Sequence, residues 1–193
     1  MRNELKVTIL QSYLFWENPD ANRRMFSEKI NNIAEKTDLI VLPEMFTTGF
    51  TMNALALAEA ESSKTLDWMK NQANKKNSAI VGSFIVSEKN FFYNRLFFVE
   101  PNGNHYTYDK RHTFTLANEH RTYTSGKNLL IINFLGWKIC PLICYDLRFP
   151  VWSRNTYNYD ILIYVANWPQ KRIYAWDTLL RARAIENMAY CIG

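Results

Sequence analysis

The chain has 193 residues, 48% of them apolar and 21% charged, the composition of an ordinary globular protein, and its length sets the expectation of a single domain over residues 1–193. Six Gly and six Pro are too few for a collagenous, low-complexity or linker-dominated chain, while 15% aromatic residues point to a large core and an aromatic-walled pocket. The net charge of +5 arises from 23 basic and 18 acidic residues spread along the sequence without a basic stripe, so nucleic acid is not an expected partner.

Leu5, Val7 and Ile9 alternate with polar neighbours and predict a first strand. Asn18-Pro19-Asp20 offers an N-cap, a proline at the first helical position and an early acid, and Phe26, Ile30 and Ile33 follow at helical spacing; a helix is predicted over 19–36. Residues 38–42 form a short, continuously apolar strand of the kind buried on both faces. A second helix is predicted over 63–74, with Leu66, Met69 and Ala73 on one face. Strands follow over 79–86 and 92–100, then a turn at Pro101-Asn102-Gly103-Asn104 and a return to Tyr108. Residues 110–127 read as irregular. Strands over 129–134 and 137–144 are joined by Leu135-Gly136. A helix over 149–157, a strand over 160–165, a helix over 173–188 and the start of a strand at 189–193 complete the chain. Parallel crossovers mixed with hairpins indicate an α/β fold.

No apolar run exceeds strand length, so a membrane is not expected as a partner. The charged N-terminus does not read as a signal peptide, and three cysteines make no disulfide framework; a cytoplasmic setting is the expectation. His105, His112 and His120 stand on irregular segments with no Cys pair at a zinc spacing, so no metal is expected. Lys75-Lys76 reads as a solvated helix end, and Cys140 and Cys191 as inert small hydrophobes.

Three residues share one kind of position. Glu44 follows the buried strand 39–42, Lys110 follows the strand ending near Tyr108, and Cys144 ends the strand 137–144. Ligand sites in α/β sheets form beyond the carboxyl ends of strands. A carboxylate, an amine and a thiol gathered there can make a covalent hydrolase: the thiol attacks, the carboxylate moves protons and the ammonium stabilises an oxyanion or lowers the thiol pKa. Taken singly, each also reads as an ordinary turn, solvated or core residue.

The words around them are more specific. Pro43-Glu44-Met45-Phe46, Tyr108-Asp109-Lys110-Arg111-His112 and Cys144-Tyr145-Asp146-Leu147-Arg148-Phe149-Pro150 resemble the Glu-Lys-Cys signature of the nitrilase, or carbon-nitrogen hydrolase, superfamily. Asn167-Trp168-Pro169 and Ala182-Arg183-Ala184-Ile185-Glu186-Asn187 resemble later segments of that family, in order, and within it the combination most resembles bacterial omega-amidases. The resemblance implies a four-layer α-β-β-α sandwich, a homodimer and no metal or organic cofactor. It assigns Cys144 as nucleophile, Glu44 as general base and acid, Lys110 as oxyanion partner, Glu119 as a second, orienting glutamate and the Tyr145 N–H as a further oxyanion donor. It also implies strands beyond Gly193 that complete the second sheet, so the natural protein is expected to continue past that residue.

The expected activity is release of ammonia from the terminal amide of a small keto acid such as 2-oxoglutaramate or 2-oxosuccinamate. Another amidase of the superfamily, a nitrilase proper, a carbamoyl-amine hydrolase and a silent interaction module are the alternatives. A substrate carboxylate calls for an arginine fork, for which Arg148 and Arg172 are candidates, unless they pair with Asp146 or Glu186 instead. Trp168, beyond a strand end, is expected in the pocket wall; Trp152 and Trp176 read as either core or wall.

Overall fold

The computed structural model describes residues 4–60 and 62–193. In chain order the elements are β1 (Val7–Ile9), α1 (Pro19–Asn31), β2 (Leu39–Val41), α2 (Ala54–Leu57), α3 (Lys64–Lys76), β3 (Ala79–Glu88), β4 (Phe91–Val99), β5 (His105–Asp109), α4 (Glu119–Thr122), β6 (Ile132–Phe134), β7 (Trp137–Ile143), α5 (Pro150–Ser153), β8 (Ile161–Val165), α6 (Ile173–Asn187) and β9 (Tyr190–Ile192).

Strands β1 to β5 form one sheet in sequence order, and β6 to β9 form a second, also in sequence order. In the first, β1, β2 and β3 are parallel and β3-β4-β5 are antiparallel, so β2 and β5 run in the same direction and end at the same edge. In the second, β7, β8 and β9 are parallel, with β6 antiparallel at one side.

Period-two alternation distributes the first sheet's side chains between two cores. Ile40, Leu42, Ile80, Phe84, Phe97 and Val99 meet Phe26 and Ile30 of α1 and Leu66, Met69 and Ala73 of α3. Leu39, Val41, Ala79, Val81, Leu96 and Phe98 face the second sheet, where Phe98 meets Phe134 edge-on at 5.4 Å. Trp176, Leu179 and Leu180 of α6 join the second sheet's core. The result is the four-layer α-β-β-α sandwich.

Several boundaries differ from the sequence prediction. The first helix stops at Asn31 instead of residue 36: Asn32 and Ile33 turn back their N–H groups to Glu28 and Ile30, and Lys76 donates to the freed Ile33 carbonyl at 2.6 Å, so Lys76 is not simply solvated. The helix predicted over 149–157 is one turn, because Asn155 closes a loop instead. Its side chain accepts from the Tyr159 N–H and donates to the Tyr159 carbonyl, each at 2.9 Å. Residues 110–127 are less irregular than expected: they hold a 3-10 turn at Thr115–Ala117 and α4. In the sixth strand only Ile132–Phe134 pair, and Cys144 opens a 3-10 turn rather than ending a strand.

Gly126 locks the strap after α4 onto the end of β5. Its N–H donates to the Lys110 carbonyl at 2.9 Å, and a Cβ there would stand 2.1 Å from the Asp109 carbonyl oxygen. Backbone must yield to admit a methyl group. Gly126→Ala is expected to destabilise by about 1–3 kcal/mol, read as a fall of roughly 3–10 °C in thermal midpoint. An unchanged midpoint would show that the two segments are not packed as described.

Candidate active site

The edge where β2, β5, β7 and β8 end carries Glu44, Lys110, Cys144 and Asn167. Lys110 is 1% exposed, and Glu44 and Glu119 are fully buried. Lys110 Nζ lies 2.7 Å from Glu44 Oε1 and 3.0 and 2.9 Å from the two Glu119 oxygens. Burial alone would push the ammonium down, but the two carboxylates more than offset it and hold Lys110 above its ordinary value. Burial also raises the Glu119 carboxyl, opposed by Lys110 and reinforced by the Glu44 charge. Glu119 is further fixed by the Phe114 N–H, which donates to its Oε2.

Glu44 is held from three sides. Oε1 accepts from Lys110 and from Asn94 Nδ2 at 2.9 Å, and Oε2 accepts from the Asn167 N–H at 2.9 Å. The Asn167 side chain also donates to the Glu44 backbone carbonyl. Asn94 Nδ2 reaches Glu119 Oε1 at 3.4 Å, so one β4 amide touches both acids. These donors fix the carboxylate's orientation and leave it acceptor capacity toward the thiol.

Cys144 has φ +45°, in the left-handed region that non-glycine residues rarely occupy, and Met45, beside Glu44, has φ +44°. Such strain persists where the surroundings over-determine it, and it clusters at functional sites. Burial pushes the Cys144 thiol well up, the Glu44 charge adds to this, and Lys110 pulls it back down. The resting sulfur is therefore a protonated thiol beside a carboxylate able to accept its proton.

Cys144 opens into a small cleft of about 50 Å³, walled by Phe50, Phe114, Tyr145, Arg148, Asn167, Trp168, Pro169 and Arg172. The candidate substrate residues Arg148, Trp168 and Arg172 all line it. Arg148 lies over the Trp168 ring at 5.5 Å and Arg172 over the Phe114 ring at 5.0 Å. Among the described residues neither has a carboxylate partner: Asp146 binds Tyr108 and His112, and Glu186 binds Arg183. Trp176 packs behind Trp168 at 5.0 Å, and Trp152 donates to Tyr108, so both are supporting residues. No group of three or more His, Cys, Asp or Glu is arranged to hold a metal among the described residues, and no helix there is long and apolar enough to cross a membrane.

The carbon-nitrogen hydrolase family profile matches residues 6–193. The chain belongs to this family. Over 189 residues the hydrolase is 48% identical to the omega-amidase YafV of Escherichia coli, an alignment covering 98% of this chain and 73% of that one. It is 33% identical to the 2-oxoglutaramate amidase of Bacillus subtilis, covering 95% and 73%. A solved CN-hydrolase superfamily protein of Xanthomonas campestris, carrying an arsenic adduct in its active site, superimposes with a TM-score of 0.95 at 39% identity over 98% of this chain and 75% of that one.

Sequence reasoning named Glu44, Lys110, Glu119 and Cys144 in this hydrolase but missed Asn94. Its signal was a polar residue inside the apolar run of β4, a break that fits a buried polar role. Phe50 and Phe114, which wall the cleft, carried no sequence signal because isolated aromatic residues in loops are common.

The raised thiol gives a direct expectation. The rate of Cys144 alkylation by iodoacetamide should climb with pH through at least pH 9, because the reactive thiolate is scarce below that. Cys140 and Cys191, also raised by burial and not lining the cleft, should lag behind it because the reagent reaches Cys144 through the cleft. A plateau at Cys144 below pH 8, mapped by peptide mass spectrometry, would contradict the electrostatics described.

Proposed function

We propose that this carbon-nitrogen hydrolase is a thiol amidohydrolase of the omega-amidase type, releasing ammonia from the terminal amide of a short keto-acid monoamide such as 2-oxoglutaramate or 2-oxosuccinamate. One observation carries the reading: the cleft that exposes Cys144 beside buried Glu44 and Lys110 is walled by two guanidinium groups with no carboxylate partner among the described residues. A small amide with an anionic far end fits that charge pattern. The relatives named omega-amidase and 2-oxoglutaramate amidase support the same choice.

In this mechanism Glu44 takes the Cys144 proton as sulfur attacks the amide carbon. The oxyanion is stabilised by Lys110 and the Tyr145 N–H. Glu44 returns the proton to the amide nitrogen, the C–N bond breaks, and ammonia leaves a thioester on Cys144. Water then gives a proton to Glu44 and attacks the thioester, releasing the acid and restoring the thiol. Glu119 acts through Lys110 by keeping the ammonium charged and aimed. The cleft residues Arg148 and Arg172 hold the distal carboxylate against Trp168. No metal or organic cofactor takes part in these steps. The reading carries with it a homodimer in the cytoplasm, as the family resemblance and the cysteine content suggest.

Ammonia release measured on a panel of amides tests this. Keto-acid monoamides should be hydrolysed well, and removing or esterifying the carboxylate should reduce activity sharply. Glu44→Gln and Lys110→Ala should each lower kcat/KM by about 10²–10⁴, measured below the thermal midpoint of each variant, which for Lys110→Ala should fall because two buried carboxylates lose their cation. Arg148→Ala or Arg172→Ala should raise KM for the acid more than for a neutral amide. Equal hydrolysis of neutral aliphatic amides would replace the omega-amidase reading with a general amidase.

A further inference from the structure

Asp146 lies two residues beyond Cys144 and is fully buried, and among the described residues no lysine or arginine pairs with it. Its oxygens are nevertheless fully engaged. Oδ2 accepts from Tyr108 Oη at 2.8 Å and from the Ile143 N–H at 3.1 Å. Oδ1 accepts from the His112 backbone N–H at 2.9 Å and meets His112 Nδ1 at 2.8 Å. Tyr108 Oη is itself an acceptor for Trp152 Nε1 at 3.0 Å and the Arg111 N–H at 3.3 Å, which directs its one hydrogen to Asp146. Four donors converge on an acceptor-only group. For His112 Nδ1 to join them it must carry a hydrogen.

The positions of these donors matter more than their number. Tyr108 and His112 stand two residues before and two residues after Lys110, while Ile143 and Asp146 bracket Cys144. Asp146 thus fastens the segment that presents the ammonium, on one sheet, to the turn that presents the thiol, on the other. The His112 ring is clamped in turn, stacked on Phe149 with centroids 3.7 Å apart and planes 5° from parallel. The same carboxylate holds the Ile143 N–H at the entrance to the left-handed Cys144 backbone, where an external restraint is required.

We propose that Asp146 and His112 are a positioning pair: they hold the Cys144 turn against the Lys110 segment and so set the geometry in which thiol, ammonium and substrate carbonyl meet. Neither touches the reacting atoms. The catalytic arm of the test rests on the amidase reading above; the labelling arm does not.

His112→Ala removes the ring donor, and His112→Asn returns a donor near the place of Nδ1. On 2-oxoglutaramate, His112→Ala should lower kcat by about 10–100-fold with KM within twofold, as expected for misplacement of a reacting group. The asparagine variant should recover kcat to within about fivefold of wild type. Asp146→Asn turns an amide N–H₂ toward two donors, and should lower kcat further. In the alanine variant, alkylation at Cys144 should accelerate as the turn loosens, while Cys140 and Cys191 label at wild-type rates. Full kcat in His112→Ala, no recovery in His112→Asn, or equal acceleration at all three cysteines would overturn the proposal, the last by revealing general loosening. If wild-type protein does not hydrolyse 2-oxoglutaramate, the function reading fails, yet the selective labelling of Cys144 still decides this one.

Discussion

A single ammonium, Lys110, is buried between two buried carboxylates, and the geometry of the site follows from keeping all three there. Removing one unpaired charge from water costs several kcal/mol, so none of the three is tolerable alone at this depth. Glu44 comes from the end of β2, Lys110 from the end of β5 and Glu119 from α4, and the β4 amide of Asn94 donates to both acids. The cluster can form only when the first sheet has its native order and the strap after β5 has folded back. Burial thus joins two roles: the set stabilises the closed sheet edge only as a complete unit, and in the proposed mechanism it supplies the ammonium that meets the oxyanion.

The second sheet contributes Cys144, the proposed nucleophile, and much of the cleft. Parallel β7 and β8 end beside β2 and β5, which brings Cys144 and Asn167 over Glu44. The left-handed turn at Cys144 lifts the sulfur out of the strand, and the aromatic walls shelter it, with Lys110 Nζ 5.2 Å from the Phe50 ring centre. The Arg148 and Arg172 guanidinium groups lie on the open side. Charge therefore differs across the site: behind Cys144 two carboxylates and one ammonium are buried, while the Arg148 and Arg172 guanidinium groups are exposed on the cleft wall. A short substrate with an amide at one end and a carboxylate at the other matches that polarity.

The sheet architecture was legible because strand runs such as Leu39–Val41 and Ile161–Val165 are continuously apolar, and because Asn102-Gly103 marks a hairpin. Glu44, Lys110 and Cys144 were legible because each interrupts the pattern just beyond a strand, within a distinctive word. Asn94 and the Asp146 ties were not. Their meaning lies mainly in partners 25 to 50 residues away, which no local period encodes. Helix ends were misread for a related reason: at Asn32 and Asn155, side-chain and turn hydrogen bonds outcompeted continuation of the helix, with Lys76 and Asn187 joining from elsewhere in the chain and Tyr159 closing the local loop.

If these residues act as one thiol-amidase centre, Cys144 must carry its covalent intermediate. The most direct test is to quench the protein with acid during turnover of 2-oxoglutaramate and map the acylated peptide by mass spectrometry. An acyl adduct is expected on Cys144 and absent from Cys144→Ala protein, which should also release no ammonia. An adduct on Cys140 or Cys191, or continued ammonia release by Cys144→Ala, would contradict it.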